Sequence, residues 1–214
     1  MIGLIRKHIS VNILVIFFLL FVSENVKAQK IEITPIFGYF TSSNLPRDQN
    51  YLRIGGGIEY GISLNHTIGR TWRLEFSFSS LKSDLSLVSA HAYREKFSDL
   101  KSKFFSIGAM KEFNPEQKLS SYILPAFGFI YNHPLDRYYS NESLLHFSLA
   151  GGVKYSVTDV VGLRFQARLL MPVWFRGDYF TGDYSEILAS FKTTKVSFQG
   201  DFTIGVILKI PKKS

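Results

Sequence analysis

The sequence predicts an all-β chain: a transmembrane eight-stranded antiparallel up-and-down β-barrel, preceded by a cleavable signal peptide. Three observations predict it. Apolar and polar residues alternate with period two through eight segments long enough to cross a bilayer, for which a tilted strand needs about 9–11 residues. The connections between these segments alternate long and short. The apolar faces also carry more bulk than an eight-stranded interior can hold. The last segment is the clearest: Val196, Phe198, Gly200, Phe202, Ile204, Val206, Leu208 and Ile210 share one face, against Lys195, Ser197, Gln199, Asp201, Thr203, Gly205, Ile207 and Lys209.

The N-terminus has its own logic. Arg6, Lys7 and His8 form a basic stretch, Val11 to Val22 an apolar one, and Val26-Lys27-Ala28 a cleavage signature. Residues 1–28 are therefore expected to be a signal peptide, and residues 29–214 the barrel domain. The apolar stretch is shorter than the ~20 residues of a spanning helix. No cysteine occurs in the chain, so there is no disulfide framework.

The first strand covers Ile31 to Phe40, with Ile31, Ile33, Pro35, Phe37 and Tyr39 on its apolar face, and Thr41–Asn50 follows as a polar loop. The second runs from Tyr51 to Leu64, with Leu52, Ile54, Gly56, Ile58, Tyr60, Ile62 and Leu64 on one face. Asn65 to Gly69 turns into the third, where Trp72, Leu74, Phe76 and Phe78 alternate with Arg73, Glu75, Ser77 and Ser79. Leu81–Ser102 is the longest insertion, and Ala90 to Leu100 within it is expected to form a short helix. The fourth strand spans Phe104 to Phe113 and stops at Asn114-Pro115-Glu116-Gln117-Lys118, strong turn chemistry. The fifth carries Leu119, Ile123, Pro125, Phe127, Phe129 and Tyr131, followed by the loop Asn132–Ser143. The sixth carries Leu145 to Tyr155 in alternation, Thr158-Asp159 turns the chain, and the seventh runs from Val161 to Phe175. The loop Arg176–Thr193 leads back to the last strand. Long and short connections in strict alternation are the pattern of a membrane barrel with periplasmic turns and extracellular loops.

Alternation alone leaves open which face points outward. The greasy faces hold most of the large side chains of a chain with 20 Phe and 11 Tyr, while the opposite faces carry Gly55, Gly57, Gly61, Ser77, Ser79, Gly152, Gly162 and Gly205. A narrow lumen suits the second set, so the aromatic set faces lipid. A closed barrel can stand there because its backbone is fully paired.

With its signal peptide, eight alternating strands and long loops on one side, the chain from Gln29 to Ser214 resembles the small OmpA/OmpX-type outer-membrane barrels and the PorT-like barrels of Bacteroidetes. The resemblance implies a bacterial outer-membrane location. Such barrels usually end on an aromatic residue; here the strand ends Leu208-Lys209-Ile210, before the tail Pro211-Lys212-Lys213-Ser214.

Strand parity sends ten charged side chains to the lumen: Glu32, Arg53, Glu59, Arg73, Glu75, Glu112, Lys154, Arg164, Arg168 and Asp201. Buried charges must pair, so these are expected to form a salt-bridged plug. Phe104, Ile130, Leu144 and Trp174 have lumen parity at the long-loop ends of neighbouring strands, which predicts an apolar vestibule at the extracellular mouth. His146-Phe147-Ser148 has the His-x-Ser spacing of lipid A deacylases, but Leu149 replaces the Asn that follows there, and parity turns both residues inward. No catalytic set, metal site or cofactor is expected. The net charge of +8 suits outer-membrane lipid and lipopolysaccharide, and is too diffuse for nucleic acid. The expected role is structural or surface-interactive, with other envelope proteins reached through the long loops. The alternatives are a narrow pore or apolar-ligand transporter, a PorT-like secretion or assembly factor, and a lipid A-modifying enzyme.

Overall fold

Among the described residues ten strands follow one another, and eight of them close into a barrel. The structure is a computed structural model that describes residues 31–47, 50–88, 94–136, 140–173 and 198–210. The expected signal peptide 1–28, Trp174, the expected loop Arg176–Thr193, the start of the expected last strand and residues 211–214 lie outside the described residues. The strands are β1 (Ile31–Phe40), β2 (Ser43–Arg47), β3 (Asn50–Ile54), β4 (Gly57–Thr67), β5 (Trp72–Val88), β6 (Arg94–Phe113), β7 (Leu119–Pro134), β8 (Glu142–Ser156), β9 (Val161–Val173) and β10 (Gln199–Ile210). Around the cylinder the order is β1, β4, β5, β6, β7, β8, β9, β10, with every neighbour antiparallel. The seam joins β1 to β10, with Ile31 opposite Ile210 and Phe40 opposite Asp201.

The local chemistry explains the ladder's irregularities. Pro35 has no N–H to donate, and the β1–β10 bridges skip Thr34 and Pro35, while the other edge of β1 pairs Pro35 with Ile62. Pro125 behaves alike: it pairs with Leu149 on β8, and the β6–β7 bridges skip it. The short turns are tight. Asn114 takes φ 52°, a conformation Asn tolerates, and its carbonyl accepts from Gln117 N–H at 3.0 Å. Thr158 Oγ1 accepts from Val161 N–H at 3.0 Å in the β8–β9 turn.

The outer wall is apolar over its whole girth. Phe37, Tyr39, Tyr60, Phe127, Phe129, Phe147 and Phe202 are each more than half exposed to what surrounds the protein. A patch of this extent is lipid-facing surface.

Above the barrel the strands differ from the sequence reading. Thr41–Asn50 is largely not a loop: it holds the β2–β3 hairpin, and β3 then pairs with β5 from Tyr51↔Val88 to Ile54↔Leu85. Tyr51 to Leu64 is two strands, broken at Gly55–Gly56. A Cβ on Gly56 would stand 2.6 Å from the Phe40 carbonyl oxygen, so the break needs glycine. The break also inverts the alternation: Ile54 is buried on the inner side, whereas Ile58, expected on the same face, points out. The insertion Leu81–Ser102 continues β5 and β6 as one long hairpin with a bulge at Leu85/Ser86. The expected helix over Ala90 to Leu100 is therefore overturned where the chain is described, since Arg94–Leu100 is strand paired to β5. Likewise β7 and β8 extend into the expected loop Asn132–Ser143, to Pro134 and from Glu142.

Candidate functional site: the barrel lumen

Each inward position on a strand sits one residue out of phase with its lipid-facing neighbours. Gly and Ser at many inward positions leave room for long charged side chains to reach across. The result is a stack of layers.

The layer nearest the short turns joins Glu32 (β1), Arg73 (β5), Glu112 (β6) and Lys154 (β8). Arg73 Nη1 lies 3.0 Å from Glu32 Oε1, and Lys154 Nζ 2.9 Å from Glu32 Oε2 and 3.7 Å from Glu112. Arg73 Nε also pairs with Glu112, and Ser120 Oγ donates to Glu112 Oε1 at 2.8 Å. Two cations here meet two carboxylates, and none of the four is open to solvent by more than a small fraction.

The middle layer is built on Arg164. From β9 it reaches Glu75 on β5, four strands away in either direction and so directly across the cylinder. Its fork meets both Glu75 oxygens, at 2.6 and 3.1 Å. Its Nε donates to Tyr122 Oη at 2.8 Å, its Nη1 to Ser63 Oγ at 3.2 Å, and its Nη2 to Gln166. The guanidinium also lies over the Tyr122 ring, 5.0 Å from its centroid. A bidentate Arg–carboxylate pair fixes direction as well as charge.

Arg168 holds the third layer, donating to Glu59 Oε1 at 2.7 Å and to Asp201 Oδ2 at 2.6 Å. One cation here faces two carboxylates. Beside these layers a cavity of about 20 Å³ is bordered by Ser77, Ser79, Ser106, Ser148 and the small residues Gly108 and Ala126. That is room for about one water.

Above the charges the lumen turns apolar. Phe104, Ile130 and Leu144 are buried together with Phe40, Ile54 and Leu81, leaving a cavity of about 10 Å³. Phe40 stacks on Phe104 with centroids 5.3 Å apart, and Arg168 lies 5.9 Å from the Phe104 centroid, joining cap to charge. Three of the four expected vestibule residues thus meet at one end, and Trp174 lies outside the described residues. What they line is packed side chain. Phe40 and Leu81 were missed by the sequence reading, although Phe40 shares the parity of Glu32 and Thr34.

Nine of the ten expected lumen charges meet in the three layers. Arg53 does not. It sits on β3 above the barrel and donates to Ser42 Oγ at 3.2 Å, because the Gly55–Gly56 break reverses the alternation that assigned it inward. His146 and Ser148 are both buried in the lumen, where His146 Nε2 lies 3.0 Å from Ser106 Oγ. No group of three or more His, Cys, Asp or Glu poised to hold a metal occurs among the described residues.

No protein-family model and no curated protein matches the sequence. Solved structures do match the fold. Neisserial surface protein A aligns with a TM-score of 0.58 at 15% identity, over 84% of this chain and 97% of its own. The outer membrane protein OprG of Pseudomonas aeruginosa gives 0.57 at 11%, over 86% and 97%. Ail, the attachment invasion locus protein of Yersinia pestis, in complex with the heparin analogue sucrose octasulfate, gives 0.50 at 12%, over 86% and 100%. The chain has the fold of the small eight-stranded outer-membrane barrels.

Proposed function

We propose that the protein is a closed outer-membrane barrel with a structural or surface-interaction role, exercised by the sheet that stands above the membrane. The observation that carries this reading is the Arg164–Glu75 fork, which spans the bore between opposite strands, with the Phe40–Phe104 cap as a second seal above it. Neither adjoining cavity exceeds about 20 Å³, too little for a solute path. The extension built from β2, β3 and the upper parts of β5 to β8 gives an ordered platform on the extracellular side. One fold neighbour, by its name an attachment and invasion protein, was crystallised with a polysulfated sugar analogue, so the fold tolerates such a role.

The test is conductance in planar bilayers. The expected result is no discrete openings from the purified, folded protein at voltages where a porin conducts; discrete steps would overturn the reading and favour the narrow pore. Export is part of the same reading. The mature chain is expected to begin at Gln29, and an intact mass that retains residues 1–28 would refute cleavage.

A further inference from the structure

On the extension, the outward face of β5, β6 and β7 is arranged in cross-strand rows. Phe78, Phe105 and Phe129 form one row, Ser80, Lys103 and Tyr131 the next, and Lys82, Lys101 and His133 the third. Lys82 stands directly opposite Lys101, and both are exposed. Like charges directly opposite in a sheet repel. Among the described residues, none of Lys82, Lys101 and Lys103 is ion-paired to a carboxylate. Asp84 and Asp99 stand one row higher, where Asp99 is held by Lys96 at 2.6 Å. The sheet thus gathers three ammonium groups in two adjoining rows above the aromatic wall, none within an ion pair among the described residues, although the Lys82 charge also bears on Asp99 in the row above.

Below those rows the wall is hollowed. Phe76, Phe78, Phe105, Phe127 and Phe129 border an apolar groove of about 440 Å³ on the outer wall. The groove is open to the surroundings and its exposed lining is almost wholly apolar, the surface against which an acyl chain would lie. The Phe78 and Phe105 rings, 4.9 Å apart, border it on the lysine side. A second groove of about 640 Å³ lies on the far wall, around Gly151, Ala167 and Phe202. Among the described residues, the next row up on β1 and β10 is Thr41 beside Gly200, without a lysine or arginine, which makes it a built-in comparison.

We propose that the β5–β6–β7 face is a binding site for a phosphorylated lipid of the outer leaflet. An acyl chain lies in the Phe76–Phe129 groove, and Lys82, Lys101 and Lys103 hold the phosphate. An anion between Lys82 and Lys101 converts the repelling pair into a chelate. A headgroup phosphate sits at the height of the lysines when its chain runs down the aromatic wall. This site rests on the barrel's membrane placement and not on the closed lumen, so conductance results do not decide it.

The test uses the folded full-length mature protein, released from detergent and examined by native mass spectrometry with bis-phosphorylated lipid A, and in parallel with its dephosphorylated form. Wild type is expected to retain the phosphorylated form at least tenfold better. The Lys82→Gln/Lys101→Gln/Lys103→Gln variant is expected to lose that preference, because each lysine near an anionic surface is worth roughly fivefold. Lys111→Gln/Lys118→Gln, at the short-turn end, is expected to keep it. Heat-modifiable gel mobility checks that each variant is folded. Equal retention by the triple variant and wild type would overturn the proposal. So would abolition of lipid A retention by millimolar inorganic phosphate, which would mark an ion site without a lipid.

Discussion

Arg164 is the side chain on which the lumen most depends, and its removal has a calculable consequence. Arg164→Met keeps an apolar stem but deletes the fork, leaving the Glu75 carboxylate, which is 4% exposed, facing no cation of its own layer. Breaking a buried ion pair by removing one partner costs about 3–5 kcal/mol. The lost bonds to Tyr122 and Ser63 place this variant toward the upper end. Glu75→Gln strands the guanidinium in the same way and is expected to cost a similar amount. The double variant Glu75→Gln/Arg164→Met removes both charges together, and replacing a buried pair by neutral groups is often close to neutral. The cycle should therefore show a coupling of at least about 3 kcal/mol, far outside the ~0.5 kcal/mol scatter of independent sites. Urea unfolding in phosphatidylcholine vesicles, followed by gel mobility and tryptophan fluorescence, measures all four proteins. Additive single effects, or a loss below about 1 kcal/mol for Arg164→Met, would refute the view that the fork holds opposite walls together.

Three further outcomes are expected. Glu142, at the start of β8 on the long-loop side, has its carboxyl pushed up to about 8 by burial. Between about 4.5 and 8 the folded chain holds a proton that the unfolded chain has released, so stability should fall as pH rises through that window. Glu142→Gln should flatten the pH dependence of the urea midpoint there, and an unchanged slope would exclude Glu142 as its source. Asn114→Val forces a β-branched residue to φ 52° and should cost about 1–2 kcal/mol, whereas Asn114→Gly should be close to neutral. Gly56→Val should push the chain off Phe40, so limited proteolysis should cut the β2–β3 hairpin while heat-modifiable mobility shows the barrel intact; equal resistance of variant and wild type would contradict this.

The barrel was legible in the sequence because lipid on one side and a narrow lumen on the other impose the strictest contrast a strand can carry. Trp72, Phe76 and Phe78 against Arg73, Glu75 and Ser79 leave little choice of face. The same parity found Glu32, Glu75, Arg164 and Asp201. It could not say which charges would pair, because Arg164 meets Glu75 through curvature and not through sequence spacing. Above the membrane the contrast fades. Lys82, Ser83, Asp84, Ser86, Ser98 and Lys101 alternate polar with polar, since the outward face there meets water, and the long β5–β6 hairpin consequently read as an insertion with a helix. Arg53 was misplaced for a different reason: two glycines reset the phase, and parity counting has no means of detecting a reset.

The seam between β1 and β10 carries a consequence for how the molecule enters its membrane. Each other contact of the cylinder joins strands close in sequence, apart from the short excursion through β2 and β3, whereas Ile31 and Ile210 meet from opposite ends of the described chain. Until β10 docks, β1 and β9 each present an unpaired backbone edge, and Arg168 lacks the Asp201 carboxylate that lies 2.6 Å from it in the closed form. Neither an open edge nor a half-paired guanidinium is tolerated in hydrocarbon. An open sheet of seven strands is therefore no resting place within the bilayer, and crossing the membrane and sealing the seam become one concerted event. Docking of β10 commits the whole barrel.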